Sequence, residues 1–515
     1  MGLLQDHVSH IPLVLTVLLV SVALYRLYFH PLAHIPGPLF ACVSSLFLYA
    51  ICYLGIEGRV LLHYHTKYRT PVLRIAPDAV SLSDGEALHQ VYVAGGRLPK
   101  DSRYNNFRVE GHDTIFSTLD QNYRDQRAKA VLPLFAQSRI QSAYEKDAVM
   151  APLVRKFITR LQEEKAKPNP KVDILDLSSR LSIDVLTGYL FHRVYGGLDE
   201  PTQSQSSPKP GNKAKAPLKW ANKLSATPFV LAIVAFSRFS LLPNWLFTFI
   251  FSSLVGRVLS NEEVNASMQT VSQFAAGVLD VDADSGRPGH DTYQSRLQKA
   301  GIGREETLIQ CKAVMFAGAD STAVMLTTIL FHLVQRPEVR ERLRAEIAQH
   351  PAGVDPQTPP YLRAVVREGL RLGMANPARL TRVVPPGGAG LTLSGYHLPP
   401  GTKVGAAAYV FHHDPVVYPQ PFTFQPDRWL PPPPGAEETP GDARARHVRE
   451  WNAFPFGLGS RACLGRNLAN HQLYVVVKEV LESGVLDGAR TCTDRIDIIE
   501  WFNAEIKGHE LEITW

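Results

Sequence analysis

The sequence predicts a mainly α-helical fold with small β-sheets, an α+β chain dominated by its helices. Three observations predict it. Residues 140–195, 305–335 and 466–482 read as helices, the second closed by Arg336-Pro337. Short runs between Tyr68 and Leu82, and again across residues 391–410, read as strands punctuated by proline and glycine. No internal repeat is visible. At 515 residues the chain has room for a large core, and its 45% hydrophobic content is that of an ordinary globular protein. A net charge of +6, with no basic low-complexity tail, is too weak a bias for a nucleic-acid partner. The five cysteines are widely spaced and form no C-x-x-C pair, which argues against a disulfide framework or a structural zinc and fits a reducing compartment.

Taken in order, the chain opens with Ile11 to Phe29, an apolar run about long enough to cross a bilayer as a helix. Arg26 can snorkel at its end, beside Tyr25 and Tyr28. The preceding residues carry Asp6 and no lysine or arginine, and no cleavage site follows, so a retained anchor is expected rather than a signal peptide. Residues 1–30 are therefore read as anchor and start of a hinge, and residues 31–515 as one catalytic domain. Pro36-Gly37-Pro38 reads as a stiff hinge. Residues 39–56 are again apolar, and a membrane-touching helix of the body is preferred there to a second span.

A first hairpin follows, then a polar and aromatic loop from Asp101 to Phe116. Residues 120–135 read as a basic helix ending at Pro133, with Tyr123 and Arg127 on one face. Residues 200–217 are a Ser/Pro/Lys-rich insert, and 228–259 are rich in Phe, Leu and Trp. In the long helix, Gly318 stands in an interior position that costs about 1 kcal/mol relative to alanine. Close approach of Ala317 and Gly318 to a flat ligand would explain it. Thr322, four residues on, can bond the Gly318 carbonyl and open the helix locally. Asp320 and Thr322 could then relay protons to a bound oxygen molecule. Glu368 and Arg371 share a helix face and can pair.

The stretch around which the rest is organised is Phe456-Gly457-Leu458-Gly459-Ser460-Arg461-Ala462-Cys463-Leu464-Gly465. It reads as a loop that offers one thiolate to a haem iron. Glycines at 457, 459 and 465 let the backbone come close and take positive φ. Phe456 can pack beside the sulfur, and Arg461 can pair with a haem carboxylate. The spacing Phe-x-x-Gly-x-Arg-x-Cys-x-Gly resembles the haem-binding signature of the cytochrome P-450 superfamily, and the other elements follow in that family's order from Pro31 onward.

The resemblance implies the cytochrome P-450 fold, with haem b (iron protoporphyrin IX) between the long central helix and the cysteine loop. It implies Cys463 as axial ligand and Tyr123, Arg127 and Arg382 as propionate contacts, with Arg379 the rival of Arg382. It implies Arg428 as third member of the Glu368–Arg371 network, and lid helices over 228–259. It further implies a membrane-anchored monooxygenase of filamentous-fungal type acting with O2 on a hydrophobic small molecule of secondary metabolism. The catalytic body would face the cytosol from the endoplasmic reticulum membrane. No Gly-rich dinucleotide fingerprint is present, so electrons from NADPH would come through a separate flavoprotein reductase, docked on a basic face that includes Arg444, Arg446, Arg449, Arg124 and Lys129. A haem-thiolate isomerase or dehydratase using no O2, and a non-enzymatic haem-binding protein, remain as alternatives.

Overall fold

The computed structural model describes residues 2–94, 98–146, 149–201, 223–240, 242–250, 262–284, 291–350, 355–432 and 439–515. Helices dominate, and the strands gather into small sheets. The insert at 202–217, part of the lid stretch at 251–259 and the proline run at 433–434 lie outside the described residues.

The central helix, Arg304–Gln335, carries Glu305 and Glu306 in its first turn, where the helix dipole favours negative charge. Its most extensive partner is the helix Ile174–Phe191, nearly all of whose residues are buried. Asp173 caps that partner by accepting from Leu175 N at 3.0 Å. The helices Pro360–Gly373 and Arg466–Glu482 also pack on the central one. Together these four elements bury the larger apolar core.

A second core lies under the four-stranded sheet. Its strands run in the order Val72–Ala76, Ala79–Leu82, Lys403–Ala406, Arg382–Val383, with antiparallel, parallel and antiparallel pairing. The hairpin expected before Leu82 is the first of these pairs. The parallel pair joins segments more than three hundred residues apart, which places Arg382 beside the N-terminal part of the body.

The N-terminal helix Gly2–Leu24 continues as a π-turn over Tyr25–Phe29. Its described side chains from Ile11 to Leu24 are largely exposed, with Leu13, Val14 and Leu19 each more than 60% open. Arg26 does not simply reach toward an interface. It donates to Val43 O at 2.6 Å and accepts at its own carbonyl from Arg74. The proline stretch is also pinned: Arg74 N donates to Pro36 O at 2.7 Å, and Leu32 and Ile35 are buried. Residues 39–56 form two short helices, Leu39–Val43 and Leu46–Tyr53, broken at an extended Ser44. Eight residues rise only about 12 Å, far short of a bilayer core of about 30 Å. Ile51 and Cys52 pack into the body while Phe40 and Leu46 stay exposed.

Candidate active site

Cys463 sits just ahead of the helix Arg466–Glu482, so the positive end of that helix points at its sulfur. Cys463 N donates to Phe456 O at 2.9 Å, which closes the loop on itself. Backbone N–H groups of Gly465 and Arg466 bond the sulfur and favour the thiolate, while burial, the larger effect, pushes the thiol pKa up. Yet the residue has open surface. A sulfur surrounded by protein and still open faces internal space rather than the outer surface. Binding a cation there would remove the proton that burial retains.

The loop glycines divide by role. Gly457 and Gly459 have φ of 71° and 67°. A Cβ on Gly459 would also overlap the Tyr92 carbonyl oxygen. Gly465 does not take positive φ. It stands at the helix N-cap with φ −78°, where it contributes its N–H and its lack of bulk near the sulfur. Phe456 is half-buried beside the loop.

On the central helix, Ala317 is exposed, while residues 322–331 beyond it are buried. It belongs to a more open stripe with Ala313 and Ser321, spaced four residues apart. Gly318 is not on that stripe. A Cβ there would overlap Leu186 Cδ1 of the helix Ile174–Phe191, so the glycine serves helix packing rather than close approach to a ligand. The expected bond from Thr322 to the Gly318 carbonyl is not among those of the described residues. Instead Ser321 Oγ donates to Ala317 O at 2.6 Å, and the helix runs unbroken as α through this turn. A well-packed glycine leaves the helix no cause to open. Asp320 is buried, and burial together with the charge of Glu505 pushes its carboxyl up to about 7.

Four cations meet at one side of the cysteine loop. Burial and the charges of Arg382, Arg461 and Arg124 hold the Lys100 ammonium well below its usual range. Arg461 is pushed down to about 10 by burial, then by Arg124 and Arg382, with Asp125 a smaller opposing charge. Among the described residues, Arg461 Nη1 and Arg124 Nε are buried without a hydrogen-bond partner. Arg382 is buried, bonds Thr381 O at 3.0 Å and lies 5.0 Å from the Tyr92 ring. Mutually repelling buried cations call for an anion. A flat group carrying an iron centre and two carboxylates fits the thiol and these donors together.

Tyr123 and Arg127 do share a helix face, but that face is engaged elsewhere. Arg127 pairs with Glu306 of the central helix, Nη2 to Oε2 at 2.9 Å, and the Tyr123 hydroxyl lies within bonding reach of Glu306 and of Asp113 O. Their neighbour Arg124 faces the cation cluster instead. Arg379, the rival of Arg382, is fully buried against Glu57.

Glu368, Arg371 and Arg428 form the expected network. Arg371 grips Glu368 at 2.9 and 2.7 Å, and Arg428 Nε donates to it at 3.1 Å. Sequence reasoning missed Trp429, whose Nε1 donates to Glu368 at 2.9 Å, and the carbonyls of His412 and Pro421 that take up Arg371. It also missed Lys100, whose lone position in a loop gave no signal. The loop aromatics Tyr104, Phe107 and Phe116 cluster with Phe502 from the C-terminal region, Phe107 and Phe502 having ring centroids 4.4 Å apart. Outside the site, a polar groove of about 660 Å³ between residues 334–340 and 488–491 contains none of these residues.

The cytochrome P450 family profile matches residues 46–483. The chain is 49% identical to the cytochrome P450 monooxygenase mfmF of Annulohypoxylon moriforme, over 98% of this chain and 99% of that protein. It is 27% identical to the cytochrome P450 monooxygenase BOT1 of Botryotinia fuckeliana, over 99% and 98% of the two chains. It is 26% identical to the cytochrome P450 monooxygenase ankB of Aspergillus thermomutatus, over 94% and 88%. With its thiol on a helix N-terminus beside a cluster of cations, and with these full-length relatives, the chain belongs to the cytochrome P450 family and is an enzyme of the monooxygenase type.

Proposed function

We propose that this enzyme inserts one oxygen atom from O2 into a hydrophobic small molecule of a fungal secondary-metabolite pathway. The observation that carries the reading is Cys463: an interior sulfur with open surface, at a helix N-terminus, with two backbone N–H groups aimed at it. Haem b, when bound, supplies the oxygen chemistry that no side chain can perform. Cys463 would hold its iron through the sulfur, and Phe456, Gly459 and Gly465 shape the loop that presents that sulfur. Ala317, exposed on the central helix, would lie against the bound group.

Asp320, its carboxyl raised to about 7, can hold a proton near neutral pH, and the Thr322 hydroxyl, buried two residues further along the same helix, is the second group of the relay. The ring cluster of Tyr104, Phe107, Phe116 and Phe502 forms an apolar wall that excludes water and receives an apolar substrate. The Glu368–Arg371–Arg428 network holds the fold behind the site. Electrons come from NADPH through a separate flavoprotein reductase, and Arg444 and Arg446 on the helix Pro440–Asn452 support a basic docking face. Residues 1–30 anchor the protein in the endoplasmic reticulum membrane by a single span, with residues 31–515 as the cytosolic catalytic domain.

The test is incorporation of ¹⁸O from labelled O2, with pathway intermediates fed to cells that co-express the chain and a reductase. One labelled oxygen per product is expected, and Cys463→Ala abolishes both turnover and the red-shifted ferrous–carbonyl band of a thiolate-bound haem. Unlabelled product formed without NADPH would establish the isomerase or dehydratase reading instead.

A further inference from the structure

Away from the cysteine loop, a cavity of about 190 Å³ opens near the foot of the N-terminal helix. Tyr49 of the helix Leu46–Tyr53 and Trp245 of the helix Asn244–Ile250 line it, together with Asp78 and Lys403 of the four-stranded sheet region. Hydrogen bonds tie it to the end of the apolar N-terminal run. Arg74 donates to Arg26 O at 2.8 Å and to Pro77 O at 3.0 Å, next to Asp78. Arg26 in turn holds Val43 O, two residues before the lining residue Ser45. The surface around the opening is apolar: Phe40 and Leu46 are exposed, and Trp245 is 72% open at the rim.

The charged side chains lining this cavity come in balanced pairs. Lys403 Nζ and Asp78 Oδ2 are 3.0 Å apart, and both side chains are partly exposed. Their backbones are joined as well, Lys403 N donating to Asp78 O at 2.9 Å. Arg103 and Asp101 form the second pair at 2.9 Å and are buried. Burial raises the Asp101 carboxyl, but Arg103 and then Lys403 bring it below its usual range, so Lys403 stands within electrostatic reach of both acids. Arg74 is buried on its two carbonyls and does not line the cavity. Two acids and two bases leave the lining neutral. A lone anion would meet two carboxylates there, whereas a phosphate joined to an ammonium offers an opposite charge to each partner. The Tyr49 and Trp245 rings add faces that attract an ammonium.

We propose that this cavity seats the zwitterionic headgroup of a membrane phospholipid, with its phosphate on Lys403 and its ammonium between Asp78 and the Trp245 ring. The acyl chains then run out past the exposed Phe40 and Leu46. Lys403 and Asp78 need not part to admit the headgroup. An ammonium has three N–H donors and a carboxylate about four lone-pair sites, and their mutual contact uses one of each. One bound lipid would thereby join the helix Leu46–Tyr53, the helix Asn244–Ile250 and the sheet, and fix how deep the body sits at the bilayer surface. The proposal rests on the reading of residues 1–30 as a membrane anchor, and that reading is tested separately by sedimentation. A full-length chain left in the supernatant would overturn the anchor. A chain in the membrane pellet that shows no headgroup preference would overturn only the cavity.

In the experiment, full-length haem-loaded protein in detergent is titrated with phosphatidylcholine or phosphatidylglycerol of the same acyl chains, and bound lipid is counted by native mass spectrometry. The first phosphatidylcholine is expected to bind about tenfold more tightly than phosphatidylglycerol, which lacks the ammonium. Lys403→Gln and Asp78→Asn should each weaken phosphatidylcholine binding about tenfold, as the loss of one charge-assisted contact does. Trp245→Ala, at an exposed position where the fold is not at stake, should weaken it about threefold. Lys67→Gln, an exposed lysine outside the cavity, should bind like wild type. Excess inorganic phosphate should leave the lipid in place; displacement would assign the cavity to a phosphate ion and overturn the proposal. It is equally overturned if phosphatidylglycerol binds as tightly as phosphatidylcholine, or if Lys403→Gln, Asp78→Asn and Trp245→Ala all bind like the wild type.

Discussion

Asp320 is 8% exposed, and its carboxyl is pushed up to about 7 by burial and by Glu505. In the unfolded chain such a group titrates near pH 4. Between these limits the folded protein keeps a proton that the unfolded chain has lost, so this residue's contribution to stability falls as pH rises. The thermal midpoint of wild type should therefore drop more between about pH 4 and about pH 7 than that of Asp320→Asn; parallel slopes would remove the raised carboxyl from the account. Thr322 is a second residue-scale case. The back-bond at this turn belongs to Ser321, so the Thr322 hydroxyl is not consumed by the helix. Thr322→Ala should keep the haem spectrum but send a larger share of NADPH-derived electrons to hydrogen peroxide, read as peroxide formed per NADPH. Ser321→Ala should leave that ratio near wild type. The motif Ala317-Gly318-Ala319-Asp320-Ser321-Thr322 was legible as polar groups set in an otherwise apolar helix. Which hydroxyl turns back on the helix was not, because that depends on side-chain rotamers set by neighbouring helices.

At the scale of elements, the helix–helix contacts rest on two glycines. A Cβ at Gly318 would overlap Leu186, and one at Gly369 would overlap Ile329. Gly318→Ala gains helix propensity worth about 1 kcal/mol but forces the Ile174–Phe191 helix away, and overpacking of this kind costs about 1–3 kcal/mol. A net loss of stability is expected in denaturant unfolding, with recovery in the Gly318→Ala/Leu186→Ala double variant. If the single variant were as stable as wild type, the packing role would fail. The central helix itself was legible, and so was the helix Arg466–Glu482, from apolar spacing and from the proline and glycine that bound them. The purpose of Gly318 was not, since a glycine facing a ligand and a glycine facing a leucine look the same in one dimension. The basic helix shows the same limit: Tyr123 and Arg127 were correctly placed on one face, but their partner Glu306 lies 179 residues from Arg127 in the chain.

Across the whole molecule, Glu368 ties the helix Pro360–Gly373 to residues 425, 428 and 429. Both Glu368 and Arg371 are fully buried, and nearby guanidiniums help hold the Glu368 carboxyl below its usual range against the opposing effect of burial. Removing one partner leaves a buried charge unmatched, at a cost of about 3–5 kcal/mol. Arg371→Met should therefore give little soluble, haem-loaded protein, whereas exposed Arg444→Ala should give normal yields; equal yields would argue against a structural role for the network. At the other end of the molecule, Arg26 and Arg74 pin the base of the N-terminal helix to the sheet, so that helix and the body meet in a bonded seam. Deleting residues 2–29 should move the protein from the membrane pellet to the supernatant.

By itself the sequence determined the family-bearing cysteine loop, the helical class, the order of the elements and the Glu368–Arg371 pair. These depend on local spacing, which a chain carries in its own order. Tertiary structure decided which cations share one buried space, that Glu306 claims Arg127, and that Gly318 packs on Leu186. Those outcomes follow from charge and volume meeting across distant segments, and electrostatic repulsion and steric overlap act through space, not along the chain.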